Sequence, residues 1–268
     1  MPKPKQGKVF LVGAGPGDPE LLTLKAHRLL REAHLILHDD LVPAEVLALA
    51  GPDAKLVNVG KRCGAKRITQ GEINAQMIDV AHKGTDVVRL KSGDPAIFGR
   101  LGEELDALED AHVAFEIVPG ITAGIAAAAA LGMSLTDRRS ASRLLIASAH
   151  HASENAQDAT ALSKQDWSGL TRGDTTLMIY MPGHGVASLR DELLAAGLAA
   201  ETPAIIVSRA TTRRQRHRQT TLAQIAAGTQ LESPSVLLIG RALVRRRPSR
   251  SEEISLLIEQ AESALAGK

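Results

Sequence analysis

The first half of the chain alternates short apolar runs with segments of helical periodicity. The apolar runs cover residues 8–13, 34–39, 54–60, 85–91 and 113–120, and a helix-like stretch follows each one. Continuous apolar runs of this length are typical of strands that are buried on both faces. Repeated β-α-β units with short connections therefore predict a parallel sheet that is covered by helices.

The second half has a less regular pattern. Strand-like runs are predicted over residues 142–148, 175–181, 204–210 and 233–240, and helices over 121–133, 186–198 and 221–228. Residues 214–221 are compatible with an antiparallel strand, residues 150–164 with a long loop, and residues 252–265 with an amphipathic helix. The pattern predicts an α/β fold with an N-terminal domain over residues 1–119, a C-terminal domain over 120–244 and an extension over 245–268.

The composition limits the classes of protein that need to be considered. The chain has 268 residues, which fits two domains of ordinary size. Lys and Arg number 32 against 30 Asp and Glu, so no strong overall field attracts nucleic acid. Cys63 is the single cysteine, and no apolar run approaches the roughly 20 residues that span a bilayer. We therefore expect a cytoplasmic protein with no disulfide, no metal site, no membrane segment and no nucleic-acid partner.

A glycine-rich corner, "VFLVGAGPGDPELLTL" over residues 9–24, follows the first predicted strand. Gly13 and Gly15 fit a dinucleotide fingerprint, but Asp18 stands where its third glycine belongs. Pro16 has no N–H to offer a phosphate, and Asp18 before Pro19 predicts a capped helix start. A capping carboxylate disfavours a bound phosphate, so the corner favours a ligand without one.

Several further motifs carry a family resemblance. The segments "VGAGPGDPELLTLKA", "VGKR", "QGEIN", "RLKSGDPAIFGR", "VPGITA", "SLTDR", "IYM", "ATTRRQR" and "SPSVLLIG" occur in the order found in uroporphyrinogen-III C-methyltransferases. The chain is similar to this branch of the tetrapyrrole methyltransferases up to about residue 243. The resemblance implies a tetrapyrrole methylase fold of two α/β/α domains, a cleft between them for S-adenosylmethionine, and a homodimer.

The resemblance also implies roles for individual residues. Asp39 is expected to accept a proton, and Lys61 to donate one. The residues expected to contact S-adenosylmethionine, or its product S-adenosylhomocysteine, are Pro16, Ser92, Gly93, Asp94, Ile97, Thr122, Ala123, Met181 and Ala210. The porphyrinogen substrate carries eight carboxylates, which guanidinium groups bind in a fork geometry. Arg62, Arg100 and Arg138, together with Met181, are the expected substrate contacts.

The chain departs from the family pattern at a few positions. His38 replaces a tyrosine, Lys66 a histidine and Ala96 a phenylalanine, while Asp137 stands in place of a histidine. His150 and His151 have no carboxylate or cysteine at ligand spacing, so a metal pair is not predicted there.

Other functions remain open from the sequence. A methyltransferase of the same fold acting on a later precorrin is the nearest alternative. A nicotinamide-dependent oxidoreductase would use the glycine-rich corner, and an RNA-binding module would use the basic stretch "RATTRRQRHR" over residues 209–218.

Overall fold

The chain folds around two separate five-stranded sheets. The computed structural model describes residues 6–60, 68–149, 167, 169, 173–183, 185–226 and 232–243. Several residues singled out above lie outside these ranges: Lys61, Arg62, Cys63, Lys66, His150, His151, and the whole of residues 244–268.

The N-terminal sheet is entirely parallel, as its apolar pattern predicts. Its strands are β1 (Val9–Gly13), β2 (Leu35–His38), β3 (Lys55–Asn58), β4 (Val87–Lys91) and β5 (Phe115–Val118). They are arranged in the order β3-β2-β4-β1-β5. The central strand β4 is buried at every position. Its two charged residues, Arg89 and Lys91, both pair with the buried Glu104.

Helices cover both faces of this sheet. They are α1 (Leu24–Glu32), α2 (Ala44–Leu47), α3 (Gln70–His82) and α4 (Leu101–Asp110). Val12 of β1 packs in one cluster with Leu30 of α1, whereas Leu11 packs in another with Met77 of α3 and Leu108 of α4. Successive side chains of β1 are thus buried on opposite faces, as expected for a strand inside a parallel sheet.

The first predicted helix is shorter than its periodicity suggests. A short 3-10 turn (Pro19–Leu21) is capped by Asp18, whose carboxylate accepts a hydrogen bond from the Glu20 N–H at 2.9 Å. The chain is then extended at Leu22, and Thr23 caps α1 by accepting a hydrogen bond from the Ala26 N–H at 3.1 Å. The α-helix therefore begins after a second capping residue, Thr23, which follows the first cap, Asp18, by five positions.

The C-terminal sheet is mixed. Its strands are β6 (Arg143–Ser148), β7 (Thr175–Tyr180), β8 (Pro203–Ser208), β9 (Arg216–Thr221) and β10 (Ser235–Ile239), in the order β6-β7-β10-β8-β9. Only β6 and β7 are parallel, and β9 is the antiparallel edge strand that the sequence allowed.

Two helices accompany the second sheet, α5 (Ala123–Ala130) and α6 (Val186–Ala195). The small residues of α5 allow close packing: a Cβ at Gly124 would lie 2.2 Å from the Met178 sulfur. Ala127 and Ala128 share a buried cluster with Met178, so α5 belongs with the second sheet.

The helix predicted over residues 221–228 is wrong in its described part, which ends at residue 226. Residues 222–224 form turns, and the first two of them donate their backbone N–H groups to distant carbonyls. Leu222 donates to Thr202 at 2.8 Å and Ala223 to Ala200 at 2.9 Å. Leu222 and Ile225 are still buried in the core. The apolar residues that suggested a helix therefore pack into the core from a turn. No helix in the described ranges is long and apolar enough to cross a membrane.

Candidate active site

The loops after β1 and β4 meet at the point where the order of the first sheet reverses direction. From β1 the chain crosses β4 to reach β2, whereas from β4 it crosses β1 to reach β5. Open α/β sheets bind ligands at such a switch point. Here the Gly15 N–H donates to Gly93 at 3.1 Å, and the Gly93 N–H donates to Gly15 at 2.8 Å. Both glycines have positive φ, so a side chain at either position would strain the backbone.

Asp94 ties a third loop to this pair. One carboxylate oxygen accepts the Ala96 N–H at 2.8 Å and the other accepts the Gly120 N–H at 2.9 Å. Gly120 lies so close that a Cβ there would be 2.2 Å from the Gly93 carbonyl oxygen. The loops that follow β1, β4 and β5 therefore form one tightly packed floor.

Tyr180 connects the second sheet to the start of α5. Its hydroxyl group accepts the Gly124 N–H at 2.8 Å and shares a 2.6 Å hydrogen bond with the Thr122 hydroxyl. The Phe98 ring, from the loop after β4, lies with its centroid 5.2 Å from that of Tyr180. Burial raises the pKa of the Tyr180 phenol, and the hydrogen bond with Thr122 opposes that shift. The phenol is therefore neutral at physiological pH and joins both halves of the chain.

A cleft of about 1190 Å³ opens above this floor. The N-terminal half lines it with residues 16–19, 40–45, 92–94, 97 and 98, and the C-terminal half with residues 122, 123, 180, 181, 183, 207, 209–214 and 233–236. All nine residues expected to contact the cofactor line this cleft: Pro16, Ser92, Gly93, Asp94, Ile97, Thr122, Ala123, Met181 and Ala210. The structure thus brings together residues that are up to 194 positions apart (210 − 16) in the sequence.

Asp39 is held by a buried charge network. The Arg89 guanidinium contacts an Asp39 carboxylate oxygen at 2.5 Å and a Glu104 oxygen at 3.0 Å. Lys91 binds the other Glu104 oxygen at 2.7 Å, while burial and then the nearby Arg89 charge lower the pKa of this lysine. Arg89 and Glu104 are buried, whereas Asp39 is 31% exposed. The network fixes the Asp39 side chain and leaves part of it accessible.

The neighbouring Asp40 was not singled out by sequence reasoning. Among the described residues that line the cleft, Asp40 is present and Asp39 is not. Asp40 accepts a hydrogen bond from the Asn58 side chain at 2.6 Å. Two adjacent carboxylates therefore stand at the end of β2. Asp39 pairs with Arg89, and Asp40 lines the cleft.

Of the three arginines expected to bind substrate, the structure describes Arg100 and Arg138. Arg100 is exposed and forms a bidentate pair with Glu103, at 2.6 and 2.7 Å. Arg138 is exposed, and neither arginine is among the described residues that line the cleft. Met181 does line it.

The negative charge of Asp137, which stands where the family has a histidine, is neutralised by an ion pair. Both oxygens of this carboxylate accept hydrogen bonds from the Arg139 guanidinium, at 3.0 and 2.8 Å. Asp137 also raises the pKa of Arg139. An acidic ligand near this turn would therefore meet an ion pair instead of a lone carboxylate.

Other cleft residues were missed by the sequence reasoning, although signals for them existed. Tyr180 is the only tyrosine of the chain and stands in the quoted segment "IYM". Phe98 stands in "RLKSGDPAIFGR", and Arg213 and Arg214 stand in "ATTRRQR". Since these segments were matched as motifs, their side chains were available as candidates, but only the fold shows which of them face one cleft.

The residues of the cleft fit S-adenosylmethionine. The corner at residues 16–19 presents a proline and a self-capped helix start, which suits a nucleoside without phosphates. Asp18, Asp40, Glu45 and Asp94 supply negative charge along the N-terminal wall, which suits the cationic sulfonium and ammonium groups. The volume exceeds that of a typical single-ligand pocket of about 300–1,000 Å³, so a second ligand can share the cleft.

Comparisons with known proteins agree with this geometry. The chain is 44% identical to the uroporphyrinogen-III C-methyltransferase of Pseudomonas aeruginosa over 253 residues, which is 93% of this chain and 98% of that protein. It is 41% identical to the siroheme synthase of Photobacterium profundum over 89% of this chain and 50% of that protein. The chain thus spans about half the length of that siroheme synthase.

A solved structure also matches. It is the uroporphyrin-III C-methyltransferase of Thermus thermophilus in complex with S-adenosylhomocysteine. The TM-score is 0.72 at 37% identity, over 88% of this chain and 98% of that one.

The two sheets and the cleft between them define an α/β protein with a ligand site shared by its two halves. The family model of the tetrapyrrole (corrin/porphyrin) methylases matches residues 8–226. The chain belongs to this family, and the resemblance found in its motifs is confirmed.

Proposed function

We propose that the chain transfers methyl groups from S-adenosylmethionine to uroporphyrinogen III, giving precorrin-2 for sirohaem or cobalamin synthesis. The observation that carries the proposal is the single cleft lined by all nine motif residues expected to contact the cofactor. The 44% identity to a uroporphyrinogen-III C-methyltransferase over almost its whole length supports the choice of substrate.

The chain's own residues would position the reactants and move protons. The bound cofactor supplies an electrophilic methyl group on a sulfonium. The packed floor at Gly15, Gly93 and Gly120 brings backbone close to the ligand, so much of the acceleration is expected from positioning. Asp39, held by Arg89, would take a proton as the methylated macrocycle rearranges, a contribution of typically ~10²–10⁴-fold. Lys61 is proposed as the proton donor.

We also propose a division into two domains at residues 119 and 120 and a cytoplasmic homodimer. The domain division is supported by the packing of α5, which begins at Ala123 and shares a core with β7 and β10. The dimer is supported by the family resemblance, and light scattering on the purified chain tests it. A mass of one chain of 28.4 kDa would contradict the dimer.

Methyl transfer is tested by incubating the purified chain with labelled S-adenosylmethionine and uroporphyrinogen III. We expect label in the macrocycle and two methyl groups added per molecule of precorrin-2 formed. S-adenosylhomocysteine binding is measured in parallel by calorimetry. Cofactor binding without label in the macrocycle would contradict the choice of substrate, and activity on a later precorrin would then replace it. Binding of a nicotinamide dinucleotide instead would contradict the enzyme class.

A further inference from the structure

The two walls of the cleft carry opposite charges. Among the described residues, every acidic side chain of the lining comes from the N-terminal half, namely Asp18, Asp40, Glu45 and Asp94. Every basic side chain comes from the loop between β8 and β9, namely Arg209, Arg213 and Arg214. A cleft with segregated charges favours a cationic group on one side and an anionic group on the other.

The basic loop is held in shape by its own hydrogen bonds. The Thr212 hydroxyl donates to the Arg209 carbonyl at 2.8 Å and accepts the Arg214 N–H at 3.2 Å. The Thr211 N–H donates to the Gln215 side chain at 2.7 Å, and the Thr211 hydroxyl accepts the Asp18 N–H at 3.2 Å. The loop therefore presents its arginines from a prearranged backbone that also contacts the opposite wall.

The side chains of Arg213 and Arg214 are exposed and form no ion pair with the described residues. Within the described ranges, no ion pair joins either guanidinium to a carboxylate, whereas Arg28, Arg100 and Arg139 each pair with one. Arg209 differs, because its Nε lies 3.7 Å from a Glu232 oxygen. Arg213 and Arg214 are thus the two cleft arginines that form no ion pair with a described carboxylate.

An apolar surface lies at the same opening. Leu41, Phe98 and Met181 line the cleft and are large hydrophobic side chains with about half of their surface exposed (53%, 46% and 46%). Phe98 and Met181 also have left-handed backbone conformations, which non-glycine residues adopt at a cost and which concentrate at ligand sites. An apolar surface beside guanidinium groups that form no ion pair matches an apolar macrocycle that carries carboxylates at its edge.

We propose that Arg213 and Arg214 bind peripheral carboxylates of the tetrapyrrole and so set the enzyme's preference for a highly carboxylated ring. This inference rests on the proposed function. The guanidinium groups form charge-assisted, bidentate hydrogen bonds with the propionate or acetate groups, while the ring contacts Phe98 and Met181. The cofactor carries a carboxylate too, so the test has to separate the two sources.

The test compares the double variant R213A/R214A with R218A. Arg218 is an exposed arginine on β9 in the same hairpin and is not among the described residues of the cleft, so R218A shows the effect of removing one surface charge from that hairpin. Binding of uroporphyrin III, the stable oxidised octacarboxylate, is measured by fluorescence quenching, and binding of S-adenosylhomocysteine by calorimetry. Steady-state methylation gives kcat and KM.

For the double variant we expect uroporphyrin affinity to fall roughly 10- to 100-fold and KM to rise in parallel. The affinity for S-adenosylhomocysteine should stay within twofold, kcat should fall far less than kcat/KM, and R218A should behave as the parent. R213K/R214K should recover part of the affinity, because lysine keeps the charge and loses the fork.

Two results would overturn the inference while leaving the proposed function intact: an active parent whose uroporphyrin affinity is the same in R213A/R214A, or an equal loss in R218A. An equal loss of S-adenosylhomocysteine affinity would overturn it as well, since the arginines would then serve the cofactor. A parent that binds S-adenosylhomocysteine but puts no label into uroporphyrinogen III would contradict the proposed function itself.

Discussion

At the scale of single residues, the end of β2 carries two carboxylates with different surroundings. Asp39 is held by the buried Arg89, and Asp40 by the Asn58 side chain. We expect Asp39→Asn to keep S-adenosylhomocysteine affinity and to lower kcat by ~10²–10⁴-fold, because the amide cannot take a proton. Calorimetry and single-turnover methylation measure the two effects. Asp40→Asn is the matched comparison, and unchanged turnover in Asp39→Asn with a large loss in Asp40→Asn would move the proton-accepting role to Asp40.

Gly120 illustrates how close the backbones of the floor approach. A Cβ there would lie 2.2 Å from the Gly93 carbonyl oxygen, so Gly120→Ala must push two loops apart. We expect the free energy of unfolding to fall by about 1–3 kcal/mol and cofactor affinity to fall with it. Gly102→Ala is the control, because nothing lies within 4 Å of its Cβ on α4, and it should stabilise the helix by roughly 0.5–1 kcal/mol. Urea unfolding measures both variants, and an unaffected Gly120→Ala would show that the loops are not close-packed in solution.

At the scale of elements, β7 and α5 are joined through one hydroxyl group. Thr122 caps α5 without a side-chain hydrogen bond to it, and the Tyr180 hydroxyl takes the Gly124 N–H instead. Tyr180→Phe leaves that N–H and the Thr122 hydroxyl without this partner, which costs about 1–3 kcal/mol. Hydrogen exchange at the Gly124 amide should become faster. Burial raises the pKa of the phenol, so the effect should be constant between neutral pH and the normal tyrosine range.

The comparison for this prediction is Phe98→Leu. It removes the ring contact with Tyr180 and keeps both hydrogen bonds. If exchange at Gly124 becomes faster in Phe98→Leu and stays unchanged in Tyr180→Phe, the ring packing and not the hydroxyl group stabilises the start of α5.

Some elements follow from local sequence and others depend on distant contacts. The strands of the first sheet are predictable, because burial on both faces favours continuous apolar runs such as that of β1. The place where α1 begins is set by Thr23, a capping side chain that helical periodicity alone overlooks. Leu222 and Ala223 lie in a segment with helical apolar spacing but donate their N–H groups to Thr202 and Ala200, a contact that no local pattern contains. β10 lies between β7 and β8 for the same kind of reason.

At the scale of the whole molecule, the sequence predicted nine residues that the fold brings into one cleft, but it did not predict the arginines of that cleft. The segments that contain the nine residues are rich in glycine and proline, so their backbone geometry depends on local sequence. Arginine side chains occur throughout the surface, and only the fold shows that Arg213 and Arg214 face the cleft while Arg100 pairs with Glu103. The local sequence of the loops thus predicts the expected cofactor contacts. The charges that face each other across the cleft can be recognised only from the fold.

Because the residues that line the cleft come from both halves of the chain, ligand binding there should couple the unfolding of the two sheets. A ligand that binds only the folded state at 100 times its Kd adds about 2.7 kcal/mol of stability. We expect S-adenosylhomocysteine at that ratio to raise Tm by roughly 5–10 °C in a single transition. A nicotinamide dinucleotide at the same concentration is the control and should give no shift, since Asp18 occupies the helix start that a pyrophosphate needs. Scanning calorimetry distinguishes the outcomes. Two transitions of which only one responds to S-adenosylhomocysteine would mean that a single half binds the ligand, and the cleft would then not be the shared site that its lining indicates.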